Sequence, residues 1–211
     1  MDVVRPDWGV RRVAGLVTTR AMGDMGGAGL RALLPGPPIW MKQVHGRAVI
    51  DADRASGLAE ADAAVTRTRA TVCIVKIADC MPVLLAAEDA SVAGIAHAGW
   101  RGLSSGVIEA TLDAMSVDPR NVVAWLGPAI GPRVYEVGED VKAVFPEHAL
   151  KPSRPGHWLL DLYAAARERL EKRGVKRVHG GGFCTYSESE RFFSYRRDRT
   201  MQRMVAALWL T

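Results

Sequence analysis

The chain has 211 residues, with 28 Lys+Arg against 23 Asp+Glu (formal net charge +5), and it is 48% hydrophobic and 24% charged. That balance excludes a disordered or fibrous chain, and the length supports a single domain over residues 1–211 that buries about 70% of its unfolded surface. The longest charge-free run, Asn121 to Pro132, is 12 residues, short of the roughly 18 that a membrane span needs.

In chain order, the opening Met1-Asp-Val-Val-Arg-Pro-Asp-Trp8 has early acids and no apolar core, so it does not read as a secretory signal. Pro35-Gly-Pro-Pro38 reads as a loop. Apolar runs at Thr71–Ile77, Val83–Ala87, Val92–Ala96, Asn121–Leu126, Val175–Val178 and Met204–Leu210 read as strands. Their Val, Ile and Leu show little polar alternation, as expected of strands buried on both faces. Ile108, Leu112 and Met115 share one helical face after Ser104 and Ser105, either of which suits the N-cap. Lys151 to Gly156 reads as a second loop. Asp161 suits the N-cap of a helix burying Leu162, Ala166 and Leu170, with Gly174 just past its end. Strands interleaved with helices point to a layered α/β domain.

Charge is uneven along the chain. Residues 1–150 hold 15 basic and 17 acidic residues, net −2, and residues 151–211 hold 13 and 6, net +7. Five arginines fall between Arg191 and Arg203. Such clustering suits a phosphate, a nucleic acid or a solvated helix face. Three cysteines (Cys73, Cys80, Cys184) are an odd set in a chain large enough to fold unaided, which argues against a disulfide framework and for a reducing cytoplasm.

Three polar residues stand at the ends of apolar segments: His45 before Gly46, Cys80 before Met81-Pro82, and His97 before Ala98-Gly-Trp-Arg-Gly102. Strand ends in α/β sheets gather ligands and catalytic groups. Two imidazoles and a thiolate suit a zinc ion with one open position. The spacing by itself leaves a buried structural thiol and structural histidines as alternatives. Arg101, beside a helix start, suits a phosphate or carboxylate, and Arg196, Arg197 and Arg203 add to it if the C-terminal segment folds over the same cleft. Gly102-Leu-Ser-Ser-Gly106 matches G-x-S-x-G and His179-Gly-Gly-Gly182 resembles an oxyanion segment, which together suggest a serine hydrolase using Ser104. The order of the two segments is wrong for that fold, and a capping serine is the simpler reading.

Five blocks then occur in order: Gln43-Val-His-Gly46, Ala78-Asp-Cys-Met-Pro82, Ala96-His-Ala-Gly-Trp-Arg-Gly102, Leu126-Gly-Pro-Ala-Ile-Gly-Pro132 followed by Tyr135-Glu-Val-Gly138, and Phe193-Ser-Tyr-Arg-Arg-Asp198. From about Gly15 onward the chain resembles the laccase-domain family, also called the bacterial polyphenol oxidase, peptidoglycan editing factor or purine nucleoside phosphorylase family. The resemblance implies a three-layer α/β/α domain with a mixed sheet. It also implies zinc, with copper as a possible occupant, held by His45, Cys80 and His97. Its implied activities are phosphorolysis of adenosine, inosine and methylthioadenosine, and deamination of adenosine. The expected partners are therefore purine nucleosides and inorganic phosphate, with no nucleic acid or membrane, acting on a cytoplasmic monomer.

In that picture Arg101 holds phosphate, Asp79 is a candidate for proton transfer, and Lys42, Gln43, Arg196 and Arg203 contact substrate. A metal that only staples the fold prefers a fourth protein ligand, for which Cys73, Cys184 and His179 are the candidates. That alternative is a binding or proofreading protein for cell-wall precursors. True multicopper oxidation needs many more histidines than the five present. The chain departs from the family where Arg199 follows Asp198 in place of a glycine, where Met201-Gln202 precede Arg203, and in a short, Asn-free stretch from Ala21 to Gly36.

Overall fold

Most of the apolar runs become strands of two mixed sheets in the computed structural model, which describes residues 3–211. The five-stranded sheet runs in the order Val3–Val4, Val13–Thr18, Met204–Leu210, Val72–Ile77, Pro38–Ile39. Its neighbours are antiparallel except for the parallel last pair. The six-stranded sheet runs Arg177–Gly180, Val122–Leu126, Met81–Ala87, Ala93–Ala98, Ala63–Thr66, Val49–Asp51. Its two outer pairs are parallel and its three central pairs antiparallel.

The sheets pack face to face. Val75, Ile77 and Ala206 of one meet Leu84, Ile95 and Trp125 of the other in a single buried cluster. The helices Val107–Met115 and Leu162–Lys172 cover the far face of the six-stranded sheet, burying Ile108, Leu112, Leu162 and Leu170. Short 3-10 turns between residues 20 and 33 bring Leu30 over the far face of the five-stranded sheet, against Leu16, Ile74 and Val205. Each central strand is thus covered twice, which is why its sequence shows no polar alternation. The mixed α/β class holds, and its strands divide between two sheets.

Local readings hold in part. Asp161 accepts the Ala164 N–H at 2.9 Å as N-cap, and Gly174 takes φ +92° after the helix. The helix expected after Ser104 is instead two, Trp100–Ser105 and Val107–Met115, divided by Gly106 at φ +92°. Neither serine caps: Ser104 Oγ donates to the Arg101 carbonyl and Ser105 Oγ to that of Gly102, within the first helix. The break between the two helices needs a left-handed residue, and glycine supplies it without a Cβ penalty.

Lys151-Pro152, expected in a loop, closes the strand Leu150–Pro152 of a small sheet with Trp158–Leu160 and Glu136–Val137. The strand Val13–Thr18 was not legible because Gly15 interrupts it. A Cβ at Gly15 would lie 2.8 Å from Leu84 Cδ2, so the glycine lets the two sheets approach. No helix among the described residues is long and apolar enough to cross a membrane.

Candidate active site

The crossover from one sheet to the other builds the site. The strand Val72–Ile77 belongs to the five-stranded sheet and Met81–Ala87 to the six-stranded one, so residues 78–80 turn between them. Asp79 makes that turn at φ +91° and delivers Cys80 to the mouth of a cleft. His97, 3% exposed, arrives on the neighbouring strand Ala93–Ala98. His45 comes from the exposed loop after Met41–Lys42, at φ +60°. The ligand atoms of His45, Cys80 and His97 lie within 4.8 Å of one another, and among the described residues they form the one cluster fit for a metal.

One buried carboxylate organises two of these three. Asp62 Oδ1 lies 2.8 Å from His97 Nδ1 and accepts the His45 N–H at 3.0 Å, while Oδ2 accepts from Val44 and Gly46 at 3.0 and 2.7 Å. Three successive backbone donors on one carboxylate hold His45 in a left-handed conformation that a non-glycine residue takes only when its surroundings over-determine it. Binding His97 through Nδ1 leaves Nε2 available to the cleft, the orienting arrangement usual for metal-ligating histidine. Desolvation opposes charge on Asp62, but His97 and the backbone donors outweigh it and keep the carboxylate ionised below its usual range.

Cys80 fits a metal ligand chemically. Burial opposes its ionisation, but His97 and His45 overcome that and bring the thiol down to about 6. The Cys80 sulfur and Asp62 in turn raise His97 against the effect of its burial. Gly99 makes room for the sulfur, since a Cβ there would sit 2.6 Å from Sγ. Two imidazoles and one thiolate of lowered pKa, gathered around a gap kept clear by glycine, fit zinc with an open position. None of Cys73, Cys184 or His179 joins the cluster. Cys73 is buried between the sheets, Cys184 Sγ accepts the Gly131 and Ser187 N–H groups, and His179 sits on the strand beside Trp125.

The triad opens into a cleft of about 550 Å³, within the range of small-molecule sites. Its walls include Trp100, Tyr135, Lys76, Arg101, Arg196 and Arg203. The guanidinium of Arg101 lies 4.3 Å from the Trp100 ring. Arg196 stacks over Tyr135 at 5.0 Å and donates to the Glu136 carbonyl at 2.7 Å. Arg203 donates to the Thr200 and Gln202 carbonyls. The C-terminal arginines therefore do fold over the cleft. Arg197 is the exception: it donates to the carbonyls of Thr185, Tyr186 and Phe192 and braces its own loop.

Other expected contacts have different work. Asp79 lines the cleft, but Oδ1 accepts the Thr185 hydroxyl at 2.7 Å and Oδ2 the Arg196 N–H at 2.6 Å, so both oxygens tie the C-terminal segment in place. Gln43 spends its amide on the backbone of Lys76. Lys42 lies outside the cleft, paired with Glu60 at 2.7 Å on the surface. Among the described residues no histidine bonds Ser104, which donates to a helical carbonyl.

Asp62 and Lys76 were not among the expected site residues. An acid opening the buried Ala63–Thr66 strand and one cation inside an otherwise apolar run were the available signals.

Fold and site together define a mixed α/β protein with one open His/Cys/His centre at the mouth of a basic cleft. A family model described as multi-copper polyphenol oxidoreductase laccase matches residues 30–211, and the chain belongs to this laccase-domain family. It is 47% identical over 191 residues to a purine nucleoside phosphorylase of Xylella fastidiosa, covering 84% of this chain and 74% of that one. It is 45% identical over 183 residues to the Escherichia coli purine nucleoside phosphorylase YfiH, covering 84% and 75%. A crystal structure of a Neisseria meningitidis protein of the DUF152 family superposes with a TM-score of 0.93 at 36% identity, covering 100% and 99% of the two chains.

Proposed function

We propose that this protein is a zinc-dependent purine nucleoside phosphorylase that acts on adenosine, inosine and methylthioadenosine and also deaminates adenosine. The observation that carries the reading is the opening of the three-ligand cluster, with no fourth protein ligand among the described residues, into a cleft lined by cations and aromatic rings. The similarity to proteins named purine nucleoside phosphorylase supports the substrate class.

In phosphorolysis an oxygen of hydrogen phosphate bonds to the anomeric carbon, the glycosidic C–N bond breaks, and the purine leaves carrying on its nitrogen the proton that the phosphate gives up. Sugar 1-phosphate and free base are the products. Arg101 presents its guanidinium to the phosphate, suited to bidentate contact. Trp100 and Tyr135 line the same cleft, each with an arginine over its ring. Asp62 keeps the His45 loop and the His97 ring in register, while Asp79 and Gln43 act as struts. When bound, zinc supplies Lewis acidity and activates water near neutral pH, the chemistry that deamination of the purine ring needs.

Copper suits the same three donors, but among the described residues no second cluster offers the further ligands of a multicopper centre. His148 lies near Glu168, His157 bonds the Pro155 carbonyl, and His179 is on a strand, all outside the cluster. A proofreading binder with a purely structural metal is favoured by no observation, since such a metal would be closed by a fourth ligand.

The test is elemental analysis paired with mutation. About one zinc per chain is expected in the purified protein, and Cys80→Ala is expected to abolish both metal content and nucleoside turnover while Ser104→Ala leaves both. A folded, metal-free protein that is fully active, or activity lost in Ser104→Ala, would overturn the proposal.

A further inference from the structure

Of the cations on the cleft wall, we infer that Lys76, alongside Arg101, is the anion seat that binds the attacking phosphate; this rests on the phosphorylase reading above. The strand Val72–Ile77 is buried throughout except at Lys76. By alternation Lys76 shares a face with Val72 and Ile74, which pack in the outer apolar cluster, and it lines the cleft where that packing ends. A cation at the end of such a strand is partly desolvated, and an anion that meets it offsets that cost.

Its backbone is fixed on both sides. Lys76 pairs in register with Val205 on one edge. On the other edge the strand Pro38–Ile39 reaches only Val72 and Cys73. Beyond it the Gln43 side chain takes over, accepting the Lys76 N–H at 2.8 Å and donating to its carbonyl at 2.9 Å. Gln43 lies two residues before His45, so the same loop that delivers a metal ligand also sets the direction of the lysine.

No described residue accepts a hydrogen bond from its ammonium. The remaining cleft cations differ. Arg196 and Arg203 are tied to carbonyls, and Arg101 and Arg199 are exposed arginines stacked on Trp100 and Tyr195. Among the described residues the one carboxylate on the cleft wall, Asp79, is committed through both oxygens and neutralises none of them directly. A half-buried lysine with a clamped backbone and no described partner for its ammonium, in the same cleft as the triad, is thus the cation left to meet a small dianion.

The test uses Lys76→Met and Lys76→Arg in the zinc-loaded full chain, with inorganic phosphate as the probe. In Lys76→Met the KM for phosphate is expected to rise about tenfold or more, the loss usual for one charge-assisted hydrogen bond. The KM for adenosine should stay within about twofold, and Lys76→Arg should recover part of the loss. Independently of turnover, the thermal shift that a fixed phosphate concentration produces in the wild type should be clearly smaller in Lys76→Met. Phosphorolysis with an unchanged phosphate KM and an unchanged thermal shift in Lys76→Met overturns the seat and leaves the reaction standing. A wild type without phosphorolysis, whose phosphate shift still depends on Lys76, overturns the reaction and supports the seat. If Lys76→Met does not fold, an unchanged phosphate KM in Lys76→Gln overturns the inference in its place.

Discussion

Asp62 Oδ1 stands 2.8 Å from His97 Nδ1, and the same buried carboxylate takes the N–H groups of Val44, His45 and Gly46. One side chain thus couples the strand that bears one member of the His45, Cys80 and His97 cluster to the loop that bears another. Asp62→Ala removes all four bonds and leaves three backbone donors without their acceptor. It should destabilise the fold by about 3–5 kcal/mol, the loss typical of breaking a buried charge network. Asp62→Asn keeps the shape but sets an NH2 against two of the four groups that the carboxylate meets, and zinc affinity should fall about 10–100-fold. Chemical denaturation and competitive metal titration check both, and an unaltered zinc affinity in Asp62→Asn would remove Asp62 from the account.

Gly99 is required by the sulfur beside it. A methyl there would meet Cys80 Sγ at 2.6 Å and His45 Cδ2 at 3.6 Å. Gly99→Ala should displace the thiolate, lowering zinc occupancy and turnover together, with a stability cost of about 1–3 kcal/mol from overpacking. Full zinc content with normal turnover in this variant would contradict the geometry.

The cysteines should differ sharply in reactivity once the metal is removed. Burial pushes the Cys73 thiol up to about 12, while the neighbouring histidines bring Cys80 down to about 6 against its own burial. The thiolate is the reactive form. Alkylation of Cys80 should therefore be near its plateau at pH 7 and fall as the pH drops through about 6. Cys73 should stay unlabelled to pH 9 in the native protein, and zinc should protect Cys80. Mass spectrometry of labelled peptides reads this, and a Cys80 rate still climbing tenfold per pH unit between 7 and 9 would contradict the lowered pKa.

What was legible in the sequence follows from which signals are local. Buried strands such as Met204–Leu210 declare themselves by composition, and the triad stands where apolar runs stop. The division into two sheets was not legible, because strand order depends on contacts far apart in sequence, as with Val13–Thr18 beside Met204–Leu210. Asp62 escaped notice for the same reason. Its partners lie 16 to 18 and 35 residues away, and no spacing rule links an acid at a strand start to a histidine on the neighbouring strand. Lys42 and Gln43 are adjacent, yet one faces solvent and the other the strand edge, as alternation near an edge dictates.

Arg199 bears on the departure from the family pattern. It follows the short helix Tyr195–Asp198 at φ +53°, the left-handed position where glycine is free of Cβ strain. Relief of that strain, about 1 kcal/mol, opposes the greater freedom glycine gives the unfolded chain. Arg199→Gly should therefore leave stability unchanged or raise it by up to about 1 kcal/mol. Arg199→Val places a β-branched residue in the same conformation and should lose about 1 kcal/mol or more. Thermal denaturation of the pair checks the assignment, and a stable Val variant beside a destabilised Gly variant would contradict it.

The most direct measurement is incubation of the zinc-loaded protein with adenosine, with and without inorganic phosphate, followed by separation of the products. Adenine that forms only with phosphate, together with phosphate-independent inosine, is the expected result, and both products should vanish in Cys80→Ala. Adenosine left intact in both incubations, with zinc bound at His45, Cys80 and His97, would contradict the account.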